Sequence, residues 1–178
     1  LVKAGHTLYP NLPQVAVFDT VFHATIPEPA RTYAIPSWMT HDLGIRKYGF
    51  HGISHQYVAT EAARFLHRPL GTLNAVSCHL GSGGASLCAI VNGKSVDNTM
   101  GYSPLQGLIM STRCGDLDPA VALTLLAFSN GDYRSVEKLL NEKSGVLGLS
   151  GESADIRDAL AASSGDEGHA SRPGLAAQ

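Results

Sequence analysis

Apolar residues come in short runs along this chain, and acids, histidines and glycines break in where the runs end. Gln14-Val-Ala-Val-Phe-Asp19 is one such run, and it predicts a buried strand that delivers Asp19 at its C-terminal edge. Pro27, Pro29 and Pro36 then mark an irregular connection. Ser54 predicts the N-cap of a helix from about His55 to His67, with Val58, Ala62, Phe65 and Leu66 on one face and Pro69 ending it. Thr72 to Cys78 and Ala85 to Val91 predict two strands, and the Asn92-Gly93 hairpin signal calls for a third through Val96. Asp118-Pro119 opens a helix towards Phe128, and Ser135 caps another that ends near Gly145. The pattern is α/β with a strand-loop-strand hairpin, not a run of βαβ units.

Composition narrows this picture. The 178 residues, 44% hydrophobic and 16% charged, allow one substantial core, or one domain and part of another. A net charge of -2 gives no electrostatic case for nucleic acid or an anionic membrane. No apolar run approaches the roughly 20 residues of a membrane helix, and no signal peptide opens the chain. Cys78, Cys88 and Cys114 lack metal-type spacing, so reduced thiols and a cytoplasmic location are expected. Residues 161–178, rich in Ala, Ser and Gly, are expected to be a disordered or aberrant tail. Leu1 precedes the first apolar run closely, so both ends read as those of a central piece of a longer protein.

Four clusters carry candidate chemistry. Gly81-Ser-Gly-Gly84 lies between two strands, where backbone amides could cradle a phosphate or the glycines could simply serve a tight turn at positive φ. It is not a dinucleotide fingerprint, because Ser86 occupies the third glycine position and a strand follows. Gly93-Lys94-Ser95 mimics the end of a P-loop but falls in the hairpin turn. His51 and His55 stand four apart, yet Gly52 between them argues for a turn, and no nearby Glu or Cys completes a zinc site. His51 could instead donate to a charged ligand, and taken alone His51 and His79 read equally as structural histidines. Arg113, beside a glycine turn, suits carboxylate or phosphate oxygens, or an internal pair with Asp116 or Asp118. Asp155 and Arg157 could clamp a nucleotide or cap the next helix.

Taken in order, Gln14 to Thr20, Tyr48-Gly-Phe-His-Gly-Ile-Ser-His55, His79-Leu-Gly81, Ser95 to Gly107, Ser111 to Pro119 and Ser144 to Arg157 resemble the blocks of the acetate kinase family, over about Pro13 to Asp158. The resemblance implies the actin-like fold shared with sugar kinases and Hsp70, in the ribonuclease H-like class. It implies ATP-dependent phosphoryl transfer to acetate, giving acetyl phosphate and ADP, with Mg2+, and a homodimer at full length. Sister propionate and butyrate kinases share the same blocks. Asp19 then matches the active-site aspartate, and His51 and Arg113 match transition-state stabilisers. His79, Leu80, Gly81, Ser82 and Gly83 match the phosphate loop; Asp155, Ile156 and Arg157 match a nucleotide-contacting segment. Phe50 and Pro104 match walls of the acyl pocket. Residues 1–20 would end the first, acyl-binding lobe and the hinge, and 21–160 would form part of the second, nucleotide-binding lobe.

Three departures from the family pattern stand out. Ser82 stands where the family has Asn, and one extra residue sits between His79 and Ser86. The family's first block, with a metal-binding Asn and an acetate-binding Arg, would precede Leu1, and its adenosine loop and metal-site Glu would follow Gln178. The chain alone is therefore expected not to make acetyl phosphate. An acid acceptor with a pKa near ~4–5 is already ionised, so it gives a base no proton to remove. Asp19 is expected instead to orient the water shell of magnesium, a hard cation that needs only one or two carboxylates.

Overall fold

The chain was analysed as a computed structural model, which describes residues 2–163 and Ala176. The sheet is a meander of β1 (Ala75–Gly81), β2 (Gly84–Val91) and β3 (Lys94–Asn98), antiparallel throughout in the order β1-β2-β3. Asn92 and Gly93 both take positive φ, 52° and 73°, so the predicted hairpin turn forms where two left-handed residues are needed. Gly93-Lys94-Ser95 accordingly belongs to the turn and the start of β3.

The described residues also form α1 (Val2–Leu8), α2 (Glu28–Arg31), α3 (Ser37–Leu43), α4 (Gly52–Phe65), α5 (Pro119–Phe128), α6 (Tyr133–Glu142), α7 (Gly145–Ser150) and α8 (Ile156–Ala162), with 3-10 turns at Val21–Thr25 and Leu70–Thr72; α4 packs on β1, α5 on α6 and α7 on α8. Asp118 caps α5 by accepting from the Ala120 amide, with Pro119 at the first helical position, as expected. The cap of α6 is Asp132, not Ser135; its carboxylate accepts from the Arg134 and Ser135 amides, so the helix starts earlier and ends at Glu142.

Three sequence expectations change. Gln14 to Asp19 is not a strand: Val15 is 84% exposed, and the segment has no pairing strand among the described residues. A strand exists only through its neighbour's hydrogen bonds, which an apolar run cannot supply by itself. Ser54 is not the N-cap of α4, which begins at Gly52 after His51. The buried face of α4 is Gly52, His55, Ala59 and Ala63, whereas Phe65 is 83% exposed. The two alanines let the helix lie close on β1 and β2, where they form one core cluster with Leu73, Cys88 and Ile90.

On the side of the sheet facing α4, the inward strand positions are Ala75, Ser77 and His79 paired with Ile90, Cys88 and Ser86. That face is apolar at one end and polar at the other, and the polar end carries the site. The expected disordered tail is ordered at its start, where Ala161 and Ala162 finish α8 and Ser163 is the C-cap; residues 164–175, 177 and 178 lie outside the described residues.

Candidate active site

His51 precedes α4 with φ 58°, a left-handed conformation rare for a side-chain-bearing residue. Two anchors hold it. The Asp19 carboxylate accepts the His51 amide at 2.6 Å, and the Asp19 carbonyl accepts the Gly52 amide at 2.7 Å. Behind it, buried His23 donates from Nε2 to the Phe50 carbonyl at 2.9 Å while its Nδ1 meets Ser95 Oγ at 2.8 Å. Asn98 donates to the same Phe50 carbonyl. Burial lowers the His23 pKa, so a neutral ring serves as donor on one side and acceptor on the other.

The His51 ring stacks on His79 with centroids 4.0 Å apart, and its Nδ1 meets Ser86 Oγ at 2.9 Å. His79 Nδ1 meets Ser54 Oγ at 2.9 Å, which is what Ser54 does in place of capping. Burial first, then the neighbouring His79, lowers the His51 pKa; Asp19 opposes this, and Arg113 and His23 add to it. Burial, with His23, His51 and His79 close by, pushes the His55 pKa down to about 4. Both rings of the pair spaced four apart turn a nitrogen to the Ser86 hydroxyl, and the other nitrogen of His55 meets Ser77 Oγ at 2.9 Å.

Arg113 arrives from a different element. The Met110 carbonyl accepts the Val146 amide, the Ser111 carbonyl accepts the Leu147 amide and the Thr112 carbonyl accepts the Ser144 amide, so the start of α7 pins residues 110–113. Gly145, at φ +64°, allows this because a Cβ there would lie 2.1 Å from the Met110 carbonyl oxygen. Among the described residues Arg113 makes no ion pair with Asp116 or Asp118; Nη1 reaches the Pro104 carbonyl at 3.4 Å.

Gly84 is where these parts meet. A Cβ on Gly84 would lie 3.0 Å from His51 Nε2 and 3.2 Å from Arg113 Nη1, so two side-chain nitrogens converge above a residue with no side chain. That close approach explains this glycine; Gly81, Gly83 and Gly84 all lack the positive φ expected of a glycine turn. Gly81 pairs with Gly84, and Ser82-Gly83 forms the two-residue connection, with Gly83 open to its surroundings.

A cavity of about 1010 Å³ adjoins this point. Leu80, Gly81 and Ser82 line it together with Asp155, Ile156 and Arg157, and Ala85, Met110 and Val146 complete the wall. Its volume suits a nucleotide-sized ligand. Asp155 caps α8 through the Arg157 amide and pairs with the Arg157 guanidinium, whose Nε lies 3.0 Å from Oδ1. The guanidinium and its hydrogen bonds hold the Asp155 pKa down at about 2. Asp155 thus acts as a cap, while the segment it starts also faces the cavity.

The structure therefore brings Asp19, His51, His79 and Arg113 to one place, and lines one cavity with both Leu80 to Ser82 and Asp155 to Arg157. Phe50 packs against Ala85, Met100 and Met110. His23, Ser77, Ser86 and Ser95 were not singled out by sequence reasoning. The serines could have been found as polar residues at buried positions of otherwise apolar strands; His23, in the 3-10 turn, carries no such signal.

The fold and this site define an α/β protein in which a histidine and an arginine converge beside a large cavity. The chain matches the Acetokinase family over residues 2–174, and it belongs to that family. It is 52% identical over 157 residues to the acetate kinase of Dictyoglomus thermophilum, covering 88% of this chain and 39% of that protein. Against the acetate kinase of Caldicellulosiruptor saccharolyticus it is 54% identical over 167 residues, covering 93% and 42%. The crystal structure of Porphyromonas gingivalis acetate kinase superposes with a TM-score of 0.87 at 42% identity, covering 98% of this chain and 43% of that one. A propionate kinase from Francisella tularensis gives 0.87 at 41%, covering 98% and 44%. The fold is therefore part of the actin-like fold of these kinases, and the chain spans about 39% of the length of the first of these relatives.

Proposed function

We propose that this chain forms the phosphoryl-binding side of an ATP-dependent acetate kinase, which reversibly converts acetate and ATP to acetyl phosphate and ADP. The convergence of His51 Nε2 and Arg113 Nη1 over Gly84 carries the reading. An oxygen of acetate forms the new bond to the γ-phosphorus as the bond to the bridging oxygen of ADP breaks. The acceptor is already ionised, so the protein's task is to position reactants and to neutralise charge on the moving group. Arg113 and His51 place donors for its equatorial oxygens, and ATP occupies the cavity lined by Leu80–Ser82 and Asp155–Arg157. Phe50 and Pro104 wall the acyl end.

The fit to magnesium rests on Asp19. Its Oδ2 accepts the His51 amide, while Oδ1 has no hydrogen-bond partner among the described residues. One carboxylate suits a cation that keeps most of its waters; among the described residues no cluster of three or more ligand-type side chains exists. When bound, magnesium neutralises charge on the phosphates. No helix among the described residues is long and apolar enough to cross a membrane. We take residues 21–160 as part of the nucleotide-binding lobe, 1–20 as the end of the acyl-binding lobe and hinge, and the full-length protein as a cytoplasmic homodimer.

The Francisella propionate kinase superposes as well as the Porphyromonas acetate kinase does, so propionate is the second acceptor to test. The decisive experiment substitutes Arg113→Ala in a chain extended to the length of the relatives and follows acyl-hydroxamate formation with each acid. Turnover should fall about 10²–10³-fold with little change in nucleotide affinity. Equal losses in both would make Arg113 a ground-state binder. The 178-residue chain assayed alone should give no acetyl phosphate, because one wall of a cleft stays wet and its charge interactions weaken.

A further inference from the structure

The edge of His51 that faces Gly84 is one end of a line of side-chain hydrogen bonds running into the core. Its Nδ1 lies 2.9 Å from Ser86 Oγ, and the same oxygen lies 2.8 Å from His55 Nε2. At the far end, His55 Nδ1 lies 2.9 Å from Ser77 Oγ. His55 and Ser86 are fully buried, and Ser77 is 5% exposed, so the inner members of the line are shut off from bulk solvent. The elements that supply it are α4, β1 and β2, with Ser77 and Ser86 both on the inward side of the sheet.

The direction of the protons follows from counting donors and acceptors. Among the described residues the Ser77 hydroxyl has one acceptor within reach, His55 Nδ1, so it donates there. A neutral His55 then carries its proton on Nε2 and donates to Ser86 Oγ. The Ser86 hydroxyl, already accepting, donates to His51 Nδ1. The His51 proton is left on Nε2, the nitrogen 3.0 Å from where a Gly84 Cβ would lie. Reversing the order would bury the Ser77 hydroxyl hydrogen without an acceptor, a cost the native direction avoids. Protonating His51 on both nitrogens would turn two N–H groups onto Ser86 Oγ and strand its hydroxyl hydrogen.

We propose that Ser77, His55 and Ser86 are positioning residues that fix neutral His51 as its Nε2–H tautomer, so that it presents a donor rather than an acceptor beside Arg113. The groups facing His51 are Asp19, His23, His55, His79 and Arg113. Its use, donation to a phosphoryl oxygen, rests on the phosphoryl-transfer reading above; the tautomer itself does not. An acceptor nitrogen at that point would repel an anionic oxygen, so the relay decides the sign of the contact.

The test is long-range 1H–15N NMR of the imidazoles in the 178-residue chain carrying 15N-histidine, near neutral pH, with His51 assigned through His51→Gln. His51 should show a protonated Nε2 and a bare Nδ1. A protonated Nδ1, or an even mixture of tautomers, overturns the proposal. Ser77→Ala should move the His51 tautomer ratio about two- to tenfold, the worth of one hydrogen bond. Ser77→Thr, which keeps the hydroxyl, should restore it. An unmoved ratio in folded Ser77→Ala overturns the relay; if that variant does not fold, the native tautomer and Ser77→Thr decide. Nε2–H at His51 together with no acyl-phosphate formation by the extended chain would support this inference and sink the proposed function.

Discussion

Two helix starts in this protein are built on opposite principles. At α8 the cap is local: Asp155 accepts the amide two residues on and pairs with the Arg157 guanidinium, all on an exposed surface. At α4 no side chain at the N-cap position does this work. The Asp19 carboxylate comes from 32 residues away, and the preceding carbonyl is clamped by His23 and Asn98. The local start is cheap to form and indifferent to its surroundings. The other forms only when three distant segments have already met, and that dependence is what holds His51 in a left-handed conformation facing Gly84.

Acid should separate the two most sharply. His55 titrates at about 4 in the fold against an ordinary 6.5, so it is neutral where an unfolded chain would bind a proton. Its environment therefore stabilises the fold fully above pH 6.5, and that stabilisation is lost as pH falls from 6.5 towards 4, on the order of 3 kcal/mol. His23, His51, His79 and Asp19 face His55 and will modulate the midpoint. At α8 the sign is the same but the window lies lower: Asp155 is held at about 2 against an ordinary 3.8, so the stabilisation from its pair with Arg157 is lost only as pH falls from 3.8 towards 2. Amide exchange at His51 to His55 should thus quicken near pH 5 while Arg157 and Asp158 stay unchanged. Simultaneous loss at both helices would erase the distinction.

Gly52→Ala comes next. Its Cβ would lie 2.3 Å from the Asp19 carbonyl oxygen, so the backbone contact must open, at about 1–3 kcal/mol. Denaturant unfolding should show that loss, and an unchanged midpoint would mean that Asp19 does not anchor the turn. Asp19→Asn keeps an acceptor but removes the charge, which predicts about 1 kcal/mol, the difference between a charge-assisted and a neutral hydrogen bond. In the extended enzyme the same variant should also raise the magnesium requirement. Asp155→Ala should be the mildest, with faster exchange confined to the first turn of α8 and the His51 imidazole signals unmoved.

The contrast also explains what could be read early. Asp118-Pro119 and Asn92-Gly93 act on their own backbone within a few residues, and both stand in the structure as their sequences predict. The blocks around Asp19, His51, His79 and Arg113 named residues that the fold gathers in one place, because histidine, arginine and glycine beside apolar runs are hard to explain by packing alone. The errors fell where a partner decides. Gln14 to Asp19 has the apolar run of a strand but no strand to pair with among the described residues, and Val58 and Phe65 had the right spacing but the wrong face.

What the chain determined by itself is local: turn chemistry, helix caps, the alternation of β1 and β2, and the identity of the charged groups. The tertiary structure decided the rest. Ala59 and Ala63, small enough to let α4 lie on the sheet, outcompeted the larger apolar face, since close packing rewards fit over bulk. That approach put Ser77, His55 and Ser86 in line behind His51, although Ser77 and His51 are separated by 26 positions in the chain. Hydrogen bonds of this kind depend on angles and distances between elements, and no pattern along one segment encodes them.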